Sequence, residues 1–134
     1  MGLMEGQKFG FGCMRLPVRD ASDQTTFDYE KIEKLFDRFL EEGFSYFDTA
    51  YTYHGYQAEK AVKKALADRY PRERFQLATK MPLRDFKDEA DLETIFAEQL
   101  ENCGVDYFDA RVIIRPSQSN PVKSRVEPDL VLLF

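Results

Sequence analysis

Three side chains in this 134-residue chain have types and spacings suited to proton chemistry: Asp48, Tyr53 and Lys80. Asp48 closes the apolar-aromatic run Phe44-Ser45-Tyr46-Phe47, and Lys80 closes the next such run, Phe75-Gln76-Leu77-Ala78-Thr79. As neighbouring parallel strands, about 4.8 Å apart, the two runs would bring carboxylate and ammonium together at the C-terminal edge of one sheet. Tyr53 lies in the loop directly after Asp48, close enough to lean over the pair. A phenol ordinarily titrates near pH 10 and gives up its proton poorly at neutrality. An ammonium about 4 Å away favours the phenolate by up to about 4 kcal/mol at an effective dielectric of 20, or roughly three pKa units. The carboxylate holds that ammonium charged and oriented while offsetting part of its field. Such a trio is a general acid able to protonate a carbonyl oxygen as a hydride arrives at carbon. The competing reading is a surface Asp–Lys pair beside an ordinary loop tyrosine, which contributes little.

The elements that must position these groups repeat one grammar of amphipathic helix, short turn and apolar strand. Ile32, Leu35, Phe36, Phe39 and Leu40 form one stripe at helical spacing, which predicts a helix over 28–42 capped by Asp28 and stopped at Gly43. Ala61, Val62, Ala65 and Leu66 predict a second helix over 57–68, ending before Pro71. Leu92, Ile95, Phe96 and Leu100 predict a third over 88–103, stopped at Gly104. Strands follow each helix, at 44–48, 75–80 and 107–114, and Phe9 to Gly12 reads as a short first strand. Alternation at that near-constant period indicates βα units and a parallel sheet. Arg19 to Thr26 reads as a polar loop.

The remaining patterns narrow the classes. A length of 134 residues with 43% hydrophobic side chains suits one globular domain. It is too short for a complete eight-stranded α/β barrel, which needs roughly 250 residues. A net charge of −5 offers no positive field for nucleic acid, and no apolar run approaches the roughly 20 residues that cross a bilayer. Met1 to Arg15 carries no secretory pattern, and Cys13 and Cys103 stand in no metal-ligand spacing. Two free thiols in a reducing cytoplasm are expected, with no membrane partner and no bound metal. Gly10-Phe11-Gly12 fails the dinucleotide fingerprint because Arg15 occupies the third glycine position. Pro116, Pro121 and Pro128 oppose a fourth crossover helix, so 115–134 reads as a Pro-rich, poorly ordered tail whose apolar end folds back on the domain of residues 1–114. A shifted reading frame after Asp109 is the other reading of that tail.

Four segments carry a resemblance: Gly10-Phe11-Gly12-Cys13-Met14-Arg15-Leu16-Pro17, Tyr46-Phe47-Asp48-Thr49-Ala50-Tyr51-Thr52-Tyr53, Phe75-Gln76-Leu77-Ala78-Thr79-Lys80-Met81-Pro82, and Gln99-Leu100-Glu101-Asn102-Cys103-Gly104-Val105-Asp106-Tyr107-Phe108-Asp109. Over about residues 8–109 the chain resembles an aldo-keto reductase, and most resembles the bacterial branch with a C-terminal iron–sulfur ferredoxin-like region. The resemblance implies the N-terminal half of a TIM-type (β/α)8 barrel: about four parallel strands, crossover helices and an irregular C-terminal tail. It implies NADPH, or less often NADH, as cofactor and reversible reduction of an aldehyde or ketone. By the same likeness Asp48, Tyr53 and Lys80 are catalytic, and Gly12, Cys13, Met14, Arg15 and Asp48 bind the cofactor.

Two departures temper that expectation. The family's fourth catalytic position, a histidine, falls on Ile114, while His54 resembles a loop neighbour of the donor. The late loops that hold the cofactor phosphates lie past the matched region, and no cysteine cluster is present for an iron–sulfur centre. Weak or no turnover is expected of the isolated chain. A half-barrel also leaves a sheet edge open to self-association. The alternative is therefore a truncated, non-catalytic half-barrel that acts as an oligomeric or interaction module. An open flavodoxin-type sheet explains the period but not the trio.

Overall fold

The computed structural model describes residues 9–82, 87–114 and 131–133. Its frame is a five-stranded sheet built from β1 (Gly10–Gly12), β4 (Tyr46–Asp48), β5 (Gln76–Pro82), β6 (Ala110–Ile114) and β7 (Val131–Leu133), in that spatial order. The first four strands run parallel, as the period predicts. Between them lie α1 (Tyr29–Glu41), α3 (Ala58–Val62) with a continuing π turn (Lys63–Ala67), and α4 (Glu89–Cys103). Each long helix starts on an aspartate cap: Asp28 accepts from the Lys31 amide at 3.3 Å and Asp88 from the Asp91 amide at 3.0 Å. Gly104 ends α4 at φ +66°, the left-handed conformation a side chain resists.

One part of the chain differs from the sequence reading. Arg19 to Thr26 is not a loop but most of a β-hairpin, β2 (Val18–Asp20) with β3 (Asp23–Phe27). Its turn is held by side chains: Asp20 accepts from the Ser22 amide and Asp23 from the Thr25 amide, each at 2.9 Å. Largely exposed, the hairpin needs no apolar alternation, which is why periodicity passed over it. At the other end of the chain, Val131–Leu133 lies back on the domain as a strand, a form the sequence reading did not specify. These residues pair antiparallel with β6, with Ala110 opposite Leu133 and Val112 opposite Val131, so that edge of β6 is covered rather than open. The rest of the expected tail, 115–130 and 134, lies outside the described residues. Among the described residues no strand pairs with the outer edge of β1.

The core lies between sheet and helices. Phe36, Phe47, Leu77, Val62, Leu66 and Ile32 are fully buried, and Phe36 meets Phe47 edge to face at 4.9 Å. Leu35, expected in the α1 stripe, is 44% exposed. It sits at the stripe's margin, where the neighbouring turn of Ile32, Phe36 and Leu40 takes the buried line. At the N-terminal end of the sheet, the Asp109 carboxylate accepts from the Leu77 amide and from Arg72, both at 2.7 Å. That pins the start of β5.

A polar cluster is buried within this core. The Glu59 carboxylate, 1% exposed, accepts from Thr79 Oγ1 (2.6 Å), Gln99 Nε2 (3.1 Å) and Asn102 Nδ2 (3.2 Å). It joins α3, β5 and α4. Burial pushes the carboxyl above its ordinary value of 4.5, the three donors pull it back, and the charge of Glu98 adds to the rise. The folded chain thus binds this proton more tightly than the unfolded chain does. The stabilisation is complete below pH 4.5 and is lost as pH climbs through the folded value.

Two outcomes follow for stability. Phe36→Ala is expected to lower the unfolding free energy by about 3–5 kcal/mol in urea titration, whereas Leu35→Ala stays within about 0.5 kcal/mol. For Glu59→Gln, which cannot titrate, the melting temperature relative to native protein should rise as pH is raised above 4.5. A difference independent of pH would show that Glu59 titrates normally.

Candidate functional site

The C-terminal edge of the sheet takes its shape from strand register. Gly12 pairs with Asp48 and Asp48 with Ala78, so Lys80 stands one pleat further along the face that carries Asp48. Its ammonium bonds Asp48 Oδ2 and donates to the Thr49 carbonyl at 3.2 Å. Lys80 Nζ also lies 5.0 Å from the centre of the Tyr53 ring. The side chains of Lys80 and Asp48 are 19% and 33% exposed, so solvent reaches both only in part. The three groups expected to converge do so here.

The loop that carries Tyr53 is stitched to β5. The Thr49 amide donates to Ala78 O at 2.9 Å and the Tyr51 amide to Lys80 O at 3.1 Å, continuing the ladder past β4. The chain then turns through α2 (Tyr53–Tyr56), where His54, Gly55 and Tyr56 all have positive φ. For His54, at φ 52°, this is a conformation that non-glycine residues avoid. Both of its ring nitrogens hold it there. The Leu16 amide donates to Nε2 at 3.1 Å, and Nδ1–H donates to the Gln24 carbonyl at 2.7 Å. The ring is 7% exposed and packs 5.0 Å from Phe27. His54 is thus a strut between the loop after β1, the hairpin and Tyr53, with both nitrogens committed to backbone.

The segment expected along the cofactor is a 3-10 turn, Cys13–Arg15, directly after Gly12. A Cβ built on Gly12 would meet nothing within 4 Å, so open space adjoins the residue in register with Asp48. Met14 is 59% exposed, and Arg15 is exposed as well. Cys13 turns inward: its thiol is fully buried, and burial first, then the Asp48 charge, pushes it far above the usual thiol range. Only its backbone can face the rim. Ile114 stands opposite Pro82 in the β5–β6 register, one pleat beyond Val112, the partner of Lys80.

Sequence reasoning missed the groups behind the site. Gln99 is fully buried and donates from Nε2 to the Lys80 carbonyl at 3.2 Å, while Glu59 accepts from the same amide. A signal was available in α4, where the buried line is Ile95, Gln99 and Cys103 at four-residue spacing with a polar group at its centre. Among the described residues no group of three or more His, Cys, Asp or Glu is placed to hold a metal ion, and no helix is long and apolar enough to cross a membrane.

This arrangement has close architectural counterparts. An aldo-keto reductase from Klebsiella pneumoniae in complex with NADPH superimposes with a TM-score of 0.60 at 20% identity, over 78% of this chain and 34% of that one. The thermostable aldo-keto reductase Tm1743, in complex with the inhibitor epalrestat, gives 0.61 at 24% identity over 87% and 42%. The holo form of an aldo-keto reductase from Bacillus halodurans gives 0.59 at 30% identity over 78% and 34%. The chain spans between 34% and 42% of the length of these proteins. The Aldo/keto reductase family model matches residues 8–128. With a parallel sheet whose C-terminal rim gathers Asp48, Lys80 and Tyr53, and a family match over most of its length, the chain belongs to the aldo/keto reductase family.

Proposed function

We propose that this chain supplies the proton-donor part of an NADPH-dependent reductase of aldehydes and ketones. The observation that carries the reading is the position of Lys80 Nζ, bonded to Asp48 and facing the Tyr53 ring at 5.0 Å. In this reading Tyr53 donates its phenolic proton to the carbonyl oxygen of the substrate. Lys80 stabilises the negative charge left on the phenol oxygen, and Asp48 keeps the ammonium charged and aimed. The nicotinamide, when bound, supplies the hydride. The open space beside Gly12, the exposed Met14 and Arg15, and the backbone of Cys13 fit a wall for its ring next to Asp48. NADPH is favoured over NADH because a solved relative carries it. The motif likeness to the branch with an iron–sulfur region belongs to the same reading, as does a cytoplasmic setting for two buried free thiols.

A second reading follows from the residue at the fourth catalytic position. The family likeness puts a histidine where this chain has Ile114, so a residue able to hydrogen-bond is replaced by one that cannot. On that ground the chain would be a non-catalytic module whose β1 edge, unpaired among the described residues, meets a second copy.

An NADPH oxidation assay with an aromatic aldehyde separates the two. Slow, NADPH-dependent turnover that Tyr53→Phe lowers by about 100-fold or more supports the donor role. Turnover that survives Tyr53→Phe removes Tyr53 from that role. No turnover, together with no saturable NADPH fluorescence change and a dimer in size-exclusion chromatography, establishes the second reading.

A further inference from the structure

The strand that presents Lys80 outruns its partner. β4 ends in register at Asp48 opposite Ala78, and past that point the Tyr51 amide reaches the Lys80 backbone carbonyl at 3.1 Å. At this point α4 intervenes from behind. Gln99 Nε2 donates to the same carbonyl at 3.2 Å, to Glu59 Oε1 at 3.1 Å and towards Thr79 Oγ1 at 3.3 Å. Gln99, Glu59 and Thr79 are between 0% and 1% exposed, so water does not compete for these bonds. Thr79 donates its own hydroxyl to Glu59 at 2.6 Å, and Asn102 donates to the other carboxylate oxygen at 3.2 Å. The Gln99 amide oxygen, also buried, has no hydrogen-bond partner among the described residues. Interiors seldom leave such an atom unpaired. Here the amide is oriented by what its nitrogen must reach, the Glu59 carboxylate and the Lys80 carbonyl, at the expense of its oxygen.

We propose that Gln99 is a positioning residue for the Lys80 ammonium, with buried Glu59 as the anchor that aims its amide at the Lys80 backbone. The role of this device in catalysis rests on the donor-site reading given above; the positioning itself does not. Removing the Gln99 donor leaves the Lys80 carbonyl with the Tyr51 amide, while the β6 ladder still holds β5 to Pro82; the Lys80 backbone loosens locally, and the ammonium then leaves Asp48 and the Thr49 carbonyl more often.

The test reads Lys80 directly and needs no turnover. Native protein and Gln99→Met are acetylated with limiting acetic anhydride, and the rate at each lysine is followed by mass spectrometry of peptides. Loss of one hydrogen bond to a charged group's mooring is expected to speed acetylation at Lys80 by about fivefold. Exposed Lys34 should keep its native rate, and the Cys13 thiol should stay unreactive as a sign of an intact fold. A Lys80 rate less than threefold above native in folded protein overturns the proposal and leaves Gln99 as packing alone. Should Gln99→Met not fold, Thr79→Val, which keeps volume and removes a donor to Glu59, is judged by the same threefold threshold. Failure here leaves the Tyr53→Phe result untouched. Loss of activity in Tyr53→Phe with an unchanged Lys80 rate would uphold the donor site while sinking its proposed support.

Discussion

The ion pair between Lys80 and Asp48 is the interaction on which the rim is organised. Such a partly exposed pair adds little to stability by itself. Its importance is geometric. It can form only if β4 and β5 are parallel, adjacent and in the register that places Asp48 beside Ala78. A slip of one residue would send Lys80 to the helix side of the sheet and bring Thr79 or Met81 to the rim. Everything that fixes this register therefore serves the pair: the Arg72–Asp109 clamp at the start of β5, the apolar layer of Phe47 and Leu77, and the Glu59 cluster near its end.

The third member of the trio is positioned by different means. Tyr53 opens a turn with three consecutive positive φ angles, two of them at residues with side chains. A conformation of that kind costs free energy and persists only where the surroundings over-determine it. His54 supplies the constraint through its two backbone hydrogen bonds, and Gln24 in the hairpin provides one of the acceptors. The hairpin thus contributes to the site without a residue in it. It is a buttress, and the loop bearing the phenol rests on it.

The sheet's two edges are treated differently. β7 adds an antiparallel strand to β6, which satisfies backbone groups that a parallel neighbour would otherwise bond. The outer edge of β1 has no such cover among the described residues. Solved aldo-keto reductases share the architecture over most of this chain, while the chain spans 34–42% of their length. In the reading proposed above, the rim of Asp48, Tyr53 and Lys80 is the proton-donor part of that architecture. Holding a dinucleotide is the larger task, and in barrels of this class it draws on later loops.

The residues alone determined the helices, the four parallel strands and the convergence of Asp48, Tyr53 and Lys80. Helical stripes, Asp caps, the Gly104 stop and the spacing of apolar strands are local signals, and a parallel sheet with short crossovers leaves few other ways to assemble them. Tertiary structure decided the rest. Val18 to Phe27 became a hairpin through side-chain turns that carry no periodicity, and Val131–Leu133 became a strand because β6 had backbone groups to pair. Leu35 went to solvent while polar Glu59 and Gln99 went to the core, reversals of their intrinsic preference. Burial of a carboxylate or an amide is set by whether partners from other elements reach it. Thr79, Asn102 and the Lys80 carbonyl are 20, 43 and 19 residues from theirs, a distance no local pattern spans.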